Sequence, residues 1–147
     1  MGEPTQFDTV PVTELLAKGL VPDATPTVPI VLVVDDEHVI ADTLAAILRG
    51  TGFSAFAAYD AAGALEFIET ATPDLMITDV MMPGMNGVDL AIEVTKSKPA
   101  CKVLLFSGQA STADLLRSAR ESGYSFSMLS KPVHPADLLA HISTLMA

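Results

Sequence analysis

A chain of 147 residues has the length of one domain, and an apolar fraction of 50% excludes intrinsic disorder, which needs low hydrophobicity. No apolar run approaches the ~18 residues of a membrane-spanning helix, and the single cysteine, Cys101, cannot form an internal disulfide, so a cytoplasmic setting is expected. Eighteen acidic residues against eight basic ones leave a net charge of −10, which argues against direct binding to nucleic acid or an anionic membrane.

Residues 1–29 hold five of the ten prolines (Pro4, Pro11, Pro22, Pro26 and Pro29) and read as an N-terminal arm or linker. Residues 11–18 of this arm are a candidate short helix, with Thr9 as cap, Gly19 as stop and Val12, Leu15 and Leu16 on one face. The favoured reading of the arm is a tail with no fixed structure, with the short helix second. Met1 to Leu20 has neither the basic start nor the apolar stretch of a secretory signal.

From residue 30 to 147 strands alternate with helices. Ile30 to Val34 is a continuous apolar run, expected of a strand covered on both faces. A helix from His38 to Arg49 follows, ended by Gly50 and Gly52. A second strand spans Phe53 to Ala58, and Asp60 caps a helix reaching Thr70. Leu75 to Thr78 is the third strand, followed by a helix from Val88 to Lys96 entered through Asn86-Gly87. Lys102 to Phe106 is the fourth strand, and Ser111 to Asp114 has the pattern of a capping box opening a helix that stops near Gly123. Phe126 to Leu129 alternates as an edge strand would, and Pro135 suits the first position of a last helix.

Five strand–helix units imply right-handed crossovers, a parallel sheet and helices on both faces. The order 2-1-3-4-5 puts the three most apolar strands in the centre, giving a flavodoxin-like doubly wound α/β fold. Ligands of such sheets bind outside the carboxyl ends of the strands, at the switch point.

Those ends carry Asp35-Asp36 after the first strand, Asp79 after the third, Ser107-Gly108 after the fourth and Ser130-Lys131-Pro132 after the fifth. Taken singly, each has an ordinary reading as a cap, turn or solvated residue, with Asp36 the natural cap of the next helix. Together they place three carboxylates, a hydroxyl and an ammonium at one rim. Mg²⁺ favours one or two carboxylates with waters and phosphate oxygens, and a carboxylate can act as nucleophile to form an aspartyl-phosphate.

The motifs Val-Val-Asp-Asp-Glu (33–37), Thr-Asp-Val-Met-Met-Pro-Gly-Met-Asn-Gly (78–87), Phe-Ser-Gly (106–108) and Ser-Lys-Pro (130–132) resemble those of response-regulator receiver domains. The resemblance runs from Ile30 to about Met146. It implies that Asp79 accepts a phosphoryl group from a phosphohistidine. Asp35, Asp36, Asp79 and the backbone carbonyl of Met81 would hold Mg²⁺, with Mn²⁺ as the alternative ion. Lys131 would pair with the phosphoryl oxygens, Ser107 would hydrogen-bond one of them, Gly108 would leave room for the donor, and Pro132 would follow a cis peptide bond.

The resemblance also implies a signalling phosphoacceptor that catalyses only its own phosphorylation and dephosphorylation. Its expected donors are a sensor histidine kinase or a histidine phosphotransfer protein. With the chain closing one helix after Lys131, a stand-alone receiver is expected, acting through a downstream partner or a homodimer on the face between Asp114 and Met146. One position departs from the family's pattern: Met128 stands where a switching tyrosine or phenylalanine is common, and methionine has no phenolic hydrogen bond. This leaves a phosphorylation-independent interaction module of the same fold as the alternative. A Mg²⁺-dependent phosphatase ranks below both, because the second aspartate it needs two residues beyond the nucleophile is replaced by Met81. His38, His134 and His141 lack partners at metal-ligand spacing and read as surface residues, and Cys101 reads as structural.

Overall fold

A computed structural model describes residues 28–108 and 112–147. The arm up to residue 27, with its candidate helix over 11–18, and the capping-box residue Ser111 lie outside the described residues. The strands are β1 (Ile30–Val34), β2 (Ser54–Ala58), β3 (Leu75–Asp79), β4 (Lys102–Ser107) and β5 (Ser127–Ser130). The described helices are α1 (His38–Gly50), α2 (Ala61–Thr70), α3 (Gly87–Ser97), α4 (Thr112–Glu121) and α5 (Pro135–Met146). All neighbouring strands pair in parallel, in the order β2-β1-β3-β4-β5.

The period of two in a strand explains why the central runs are apolar throughout. Val31, Val33, Leu75, Ile77, Leu104 and Phe106 face one side, where Ala41, Ala45 and Leu48 of α1 and Leu138 and Ile142 of α5 cover them. Leu32, Val34, Met76 and Leu105 face the other side, against small and branched residues of α2, α3 and α4. A fully buried leucine or isoleucine contributes roughly 2 kcal/mol, so both layers resist any slip that would turn a strand over.

The local signals act as their chemistry requires. Asp60 accepts a hydrogen bond from the Gly63 N–H at 2.7 Å, and Asn86 accepts one from the Asp89 N–H at 2.9 Å, so both cap their helices. Gly52 and Gly123 close α1 and α4 with φ of 103° and 94°, which a side chain would disfavour. Several boundaries shift by a residue. β2 begins at Ser54, β3 extends to Asp79, β4 extends to Ser107, β5 runs one residue later than its alternation suggested, and α3 is a residue longer at each end. In β5, Leu129 packs against the α1–α5 side while Met128 is 38% exposed, because an edge strand has a neighbour on one side only.

Cys101 is buried, its thiol donates to the Lys102 carbonyl at 3.4 Å, and burial pushes its pKa up to about 11. At pH 8 roughly 0.001 of it is thiolate, against about a quarter of an ordinary thiol. Iodoacetamide should therefore modify the native protein more than a hundredfold more slowly than the urea-unfolded chain. Equal rates, followed by intact mass, would contradict the buried placement.

Candidate functional site

The register sets the site. Asp79 lies opposite Phe106, and Ser107 opposite Ser130, so β3, β4 and β5 end level and hand their next residues to one rim. β1 reaches the same rim with Asp35, whose N–H donates to the Ala58 carbonyl at 3.1 Å. Among the described residues, Asp35, Asp36 and Asp79 each offer a carboxylate oxygen within 4.8 Å of the others.

Asp35 is only 1% exposed. Its Oδ1 accepts the Glu37 N–H at 2.9 Å, while its buried Oδ2 has no hydrogen-bond partner among the described residues. The Lys131 ammonium stands 3.5 Å from that Oδ2 and 3.3 Å from Asp79 Oδ2, a pair of ion-pair contacts that bridges the two carboxylates. Geometry here outweighs distance: at 3.5 Å Lys131 neutralises Asp35 by charge without satisfying its oxygen.

Burial raises the Asp35 carboxyl above the ordinary range. The Glu37 N–H and Lys131 pull it back, and the Asp79 charge adds to the rise. For Lys131, burial pulls the ammonium down, but Asp79 and Asp35 outweigh it and leave the pKa above its ordinary value. Lys131 is therefore cationic through the neutral range. Three carboxylates facing one ammonium leave a net negative site.

The α1 terminus corrects one expectation. Its N-cap residue is Glu37, which makes no side-chain cap bond, and Asp35 rather than Asp36 accepts the Glu37 N–H. Asp35, held at the end of β1, turns one oxygen forward to the Glu37 N–H, and the helix start itself carries no side-chain cap. Asp36 is left to face the rim.

The remaining residues fall as follows. Ser107 is buried and its hydroxyl is hydrogen-bonded to the Thr112 hydroxyl, itself buried at the start of α4. Thr112 was not a sequence candidate, since a threonine beside a helix start is indistinguishable from a capping residue. Gly108 is exposed, and a methyl there would meet the Lys131 Cβ at 3.6 Å, an ordinary contact. The Lys131–Pro132 peptide bond is cis, and the Lys131 N–H donates to the Ser107 carbonyl at 3.1 Å. Met81 is 47% exposed beside Val80, whose N–H is held by the Phe106 carbonyl and whose carbonyl accepts the Gly87 N–H. Met128 lies apart, on the exposed edge strand. His134 and His141 are exposed, as the sequence suggests.

A hard divalent cation fits this donor set: clustered carboxylates, a net negative rim and one buried carboxylate oxygen without a hydrogen bond. Soft ligands are absent from the cluster.

Comparison with known proteins gives one consistent picture. The response regulator receiver domain family matches residues 31–143. The chain is similar to the DNA-binding response regulator MtrA of Mycolicibacterium smegmatis, 31% identical over 112 residues, covering 76% of this chain and 48% of that one. It is 34% identical to the putative two-component response regulator ARR21 of Arabidopsis thaliana over 110 residues, 74% of this chain and 17% of the plant protein. The chain thus spans about half the length, or less, of the curated relatives it matches. Among solved structures, a CheY-like response regulator receiver domain protein from Methanospirillum hungatei JF-1 superposes with a TM-score of 0.75 at 29% identity, over 82% of this chain and 94% of that one. The Vibrio cholerae chemotaxis protein CheY4 gives a TM-score of 0.72 at 26% identity, over 81% and 99%.

Proposed function

This chain belongs to the response regulator receiver domain family of two-component signalling, and from that premise we propose that Asp79 accepts a phosphoryl group from a phosphohistidine. The donor is a sensor histidine kinase or a histidine phosphotransfer protein. An Asp79 carboxylate oxygen attacks phosphorus in line, the phosphorus–nitrogen bond breaks, and the released imidazole nitrogen takes up a proton. No separate substrate is turned over: the protein acts on itself, as a signalling phosphoacceptor.

The observation that carries this reading is the convergence of the Asp35 and Asp79 carboxylates on Lys131, with one Asp35 oxygen left unsatisfied. Asp35, Asp36 and Asp79 would hold Mg²⁺ (or Mn²⁺), with the Met81 carbonyl as the fourth protein ligand. The bound ion would offset negative charge on the phosphoryl oxygens. Lys131 is already aimed at Asp79, so it can follow charge from the carboxylate to the incoming phosphoryl group with little movement. Ser107 is buried at the same rim, where its hydroxyl can exchange Thr112 for a phosphoryl oxygen. The exposed Gly108 leaves the approach to Asp79 uncrowded.

Phosphorylation would then alter binding on the face from Asp114 to Met146, where Met128 and His141 are exposed. Acetyl phosphate tests the chemistry directly. With Mg²⁺, intact mass should show one phosphoryl group per chain, and a chelator should prevent it. No labelling under either condition would leave the phosphorylation-independent interaction module as the better reading.

A further inference from the structure

Asp36 is the one carboxylate of the cluster that nothing holds directly: among the described residues its side chain makes no hydrogen bond or ion pair. Its position therefore depends on the backbone from Asp35 to the first turn of α1. That helix also lacks a side-chain cap at Glu37, so its first turn is weakly fixed by its own sequence.

Two consecutive residues at the end of β2 bracket this segment. On the near side, the Ala58 carbonyl accepts the Asp35 N–H at 3.1 Å. On the far side, Tyr59 lies across α1. Its hydroxyl donates to Asp42 Oδ1 at 2.6 Å, and its ring stacks on His38 with centroids 3.8 Å apart and planes 19° from parallel. His38 and Asp42 are four residues apart, one turn of the same helix face. The chain from 35 to 42 is thus attached at both ends to the same strand end, with Asp36 between the attachments. Tyr59 is solvent-exposed, so burial does not require this contact. The hydrogen bond to Asp42 raises the phenol pKa above its ordinary value, which keeps the hydroxyl a donor through the neutral range.

We propose that Tyr59 is a positioning residue for the cation site, holding the first turn of α1 through His38 and Asp42 so that Asp36 stays in ligating position. The proposal rests on the reading that Asp35, Asp36 and Asp79 hold Mg²⁺. Residues that orient metal ligands typically change affinity ten- to a hundredfold when removed, and one acting through a helix turn belongs at the low end.

Calorimetric titration of the full chain with MgCl₂ separates the two readings. Tyr59→Ala should bind Mg²⁺ about tenfold more weakly than wild type. Tyr59→Phe, which keeps the ring on His38 and loses the hydrogen bond, should bind about threefold more weakly. In acetyl phosphate labelling, the Mg²⁺ concentration for half-maximal rate should rise by the same factors while the maximal rate moves less than twofold. A merely structural role would lower the maximal rate and leave the Mg²⁺ dependence alone, and that result overturns the proposal. Wild-type affinity in Tyr59→Phe and in any folded Tyr59→Ala also overturns it. If wild type itself binds no Mg²⁺, the cation reading fails first and takes this inference with it.

Discussion

Asp79→Asn is expected to abolish phosphoryl labelling by acetyl phosphate under conditions that fully label the wild type, with no loss of folded protein. Asparagine preserves the shape of the side chain but has no anionic oxygen to attack phosphorus. The change should leave the fold intact for an electrostatic reason. Asp79 is one of the charges that raise the Asp35 carboxyl, and it stands at a rim where three carboxylates face one ammonium. Removing it relieves repulsion, and Lys131 remains 3.5 Å from Asp35. In chelator, thermal melting should show a Tm equal to or above that of the wild type. Labelling of Asp79→Asn at the wild-type level would move the acceptor elsewhere.

The largest effect on stability is expected at Gly87, a residue that touches no ligand. A Cβ added there would overlap the Asp79 carbonyl oxygen and lie 2.9 Å from the Asp79 carbonyl carbon and 3.0 Å from the Val80 Cα. These are backbone atoms that cannot rotate aside. The same carbonyl accepts the Thr78 hydroxyl at 2.9 Å, and Gly87 itself donates to the Val80 carbonyl at 2.8 Å, so the two segments are tied where they would have to part. Gly87→Ala should cost about 3 kcal/mol, the upper end for overpacking, and lower Tm by about 10 °C. It should also slow labelling of the protein that remains folded by about a hundredfold, since a displacement near 1 Å at a reacting group costs that much. Gly108→Ala is the control: its methyl meets only ordinary contact at 3.6 Å, and its Tm should stay within about 2 °C, as for a surface change of ±0.5 kcal/mol. Equal melting of the two variants would show that the α3 start can move away from Asp79.

Where the sequence could be read, the reason is local chemistry. Val31 to Val34 and Leu75 to Ile77 are apolar at every position because both faces of a central strand are covered. Asp60 and Asn86 cap helices through bonds that span three residues. The strand-end residues Asp35, Asp79, Ser107 and Lys131 were legible because topology alone sends such ends to one rim. Tyr59, Thr112 and Gly87 were not marked as functional candidates. Each acts through a neighbour that is distant in the chain or hidden behind an ordinary role: Tyr59 on Asp42 across 17 residues, Thr112 as an apparent cap, Gly87 by the absence of a side chain against Asp79.

The amino-acid order by itself determined the alternation of elements, the strand order and the group of residues that meets at the rim, because periodicity, capping and crossover handedness act over short stretches. The tertiary structure alone decided which oxygen of Asp35 is satisfied and which is not. It also decided that Lys131 bridges two carboxylates, that Met128 is turned to solvent, and that Ser107 rests on Thr112. Those outcomes depend on distances of a few ångströms between separate strands, which no local propensity specifies; they follow only once packing has fixed the register of the whole sheet.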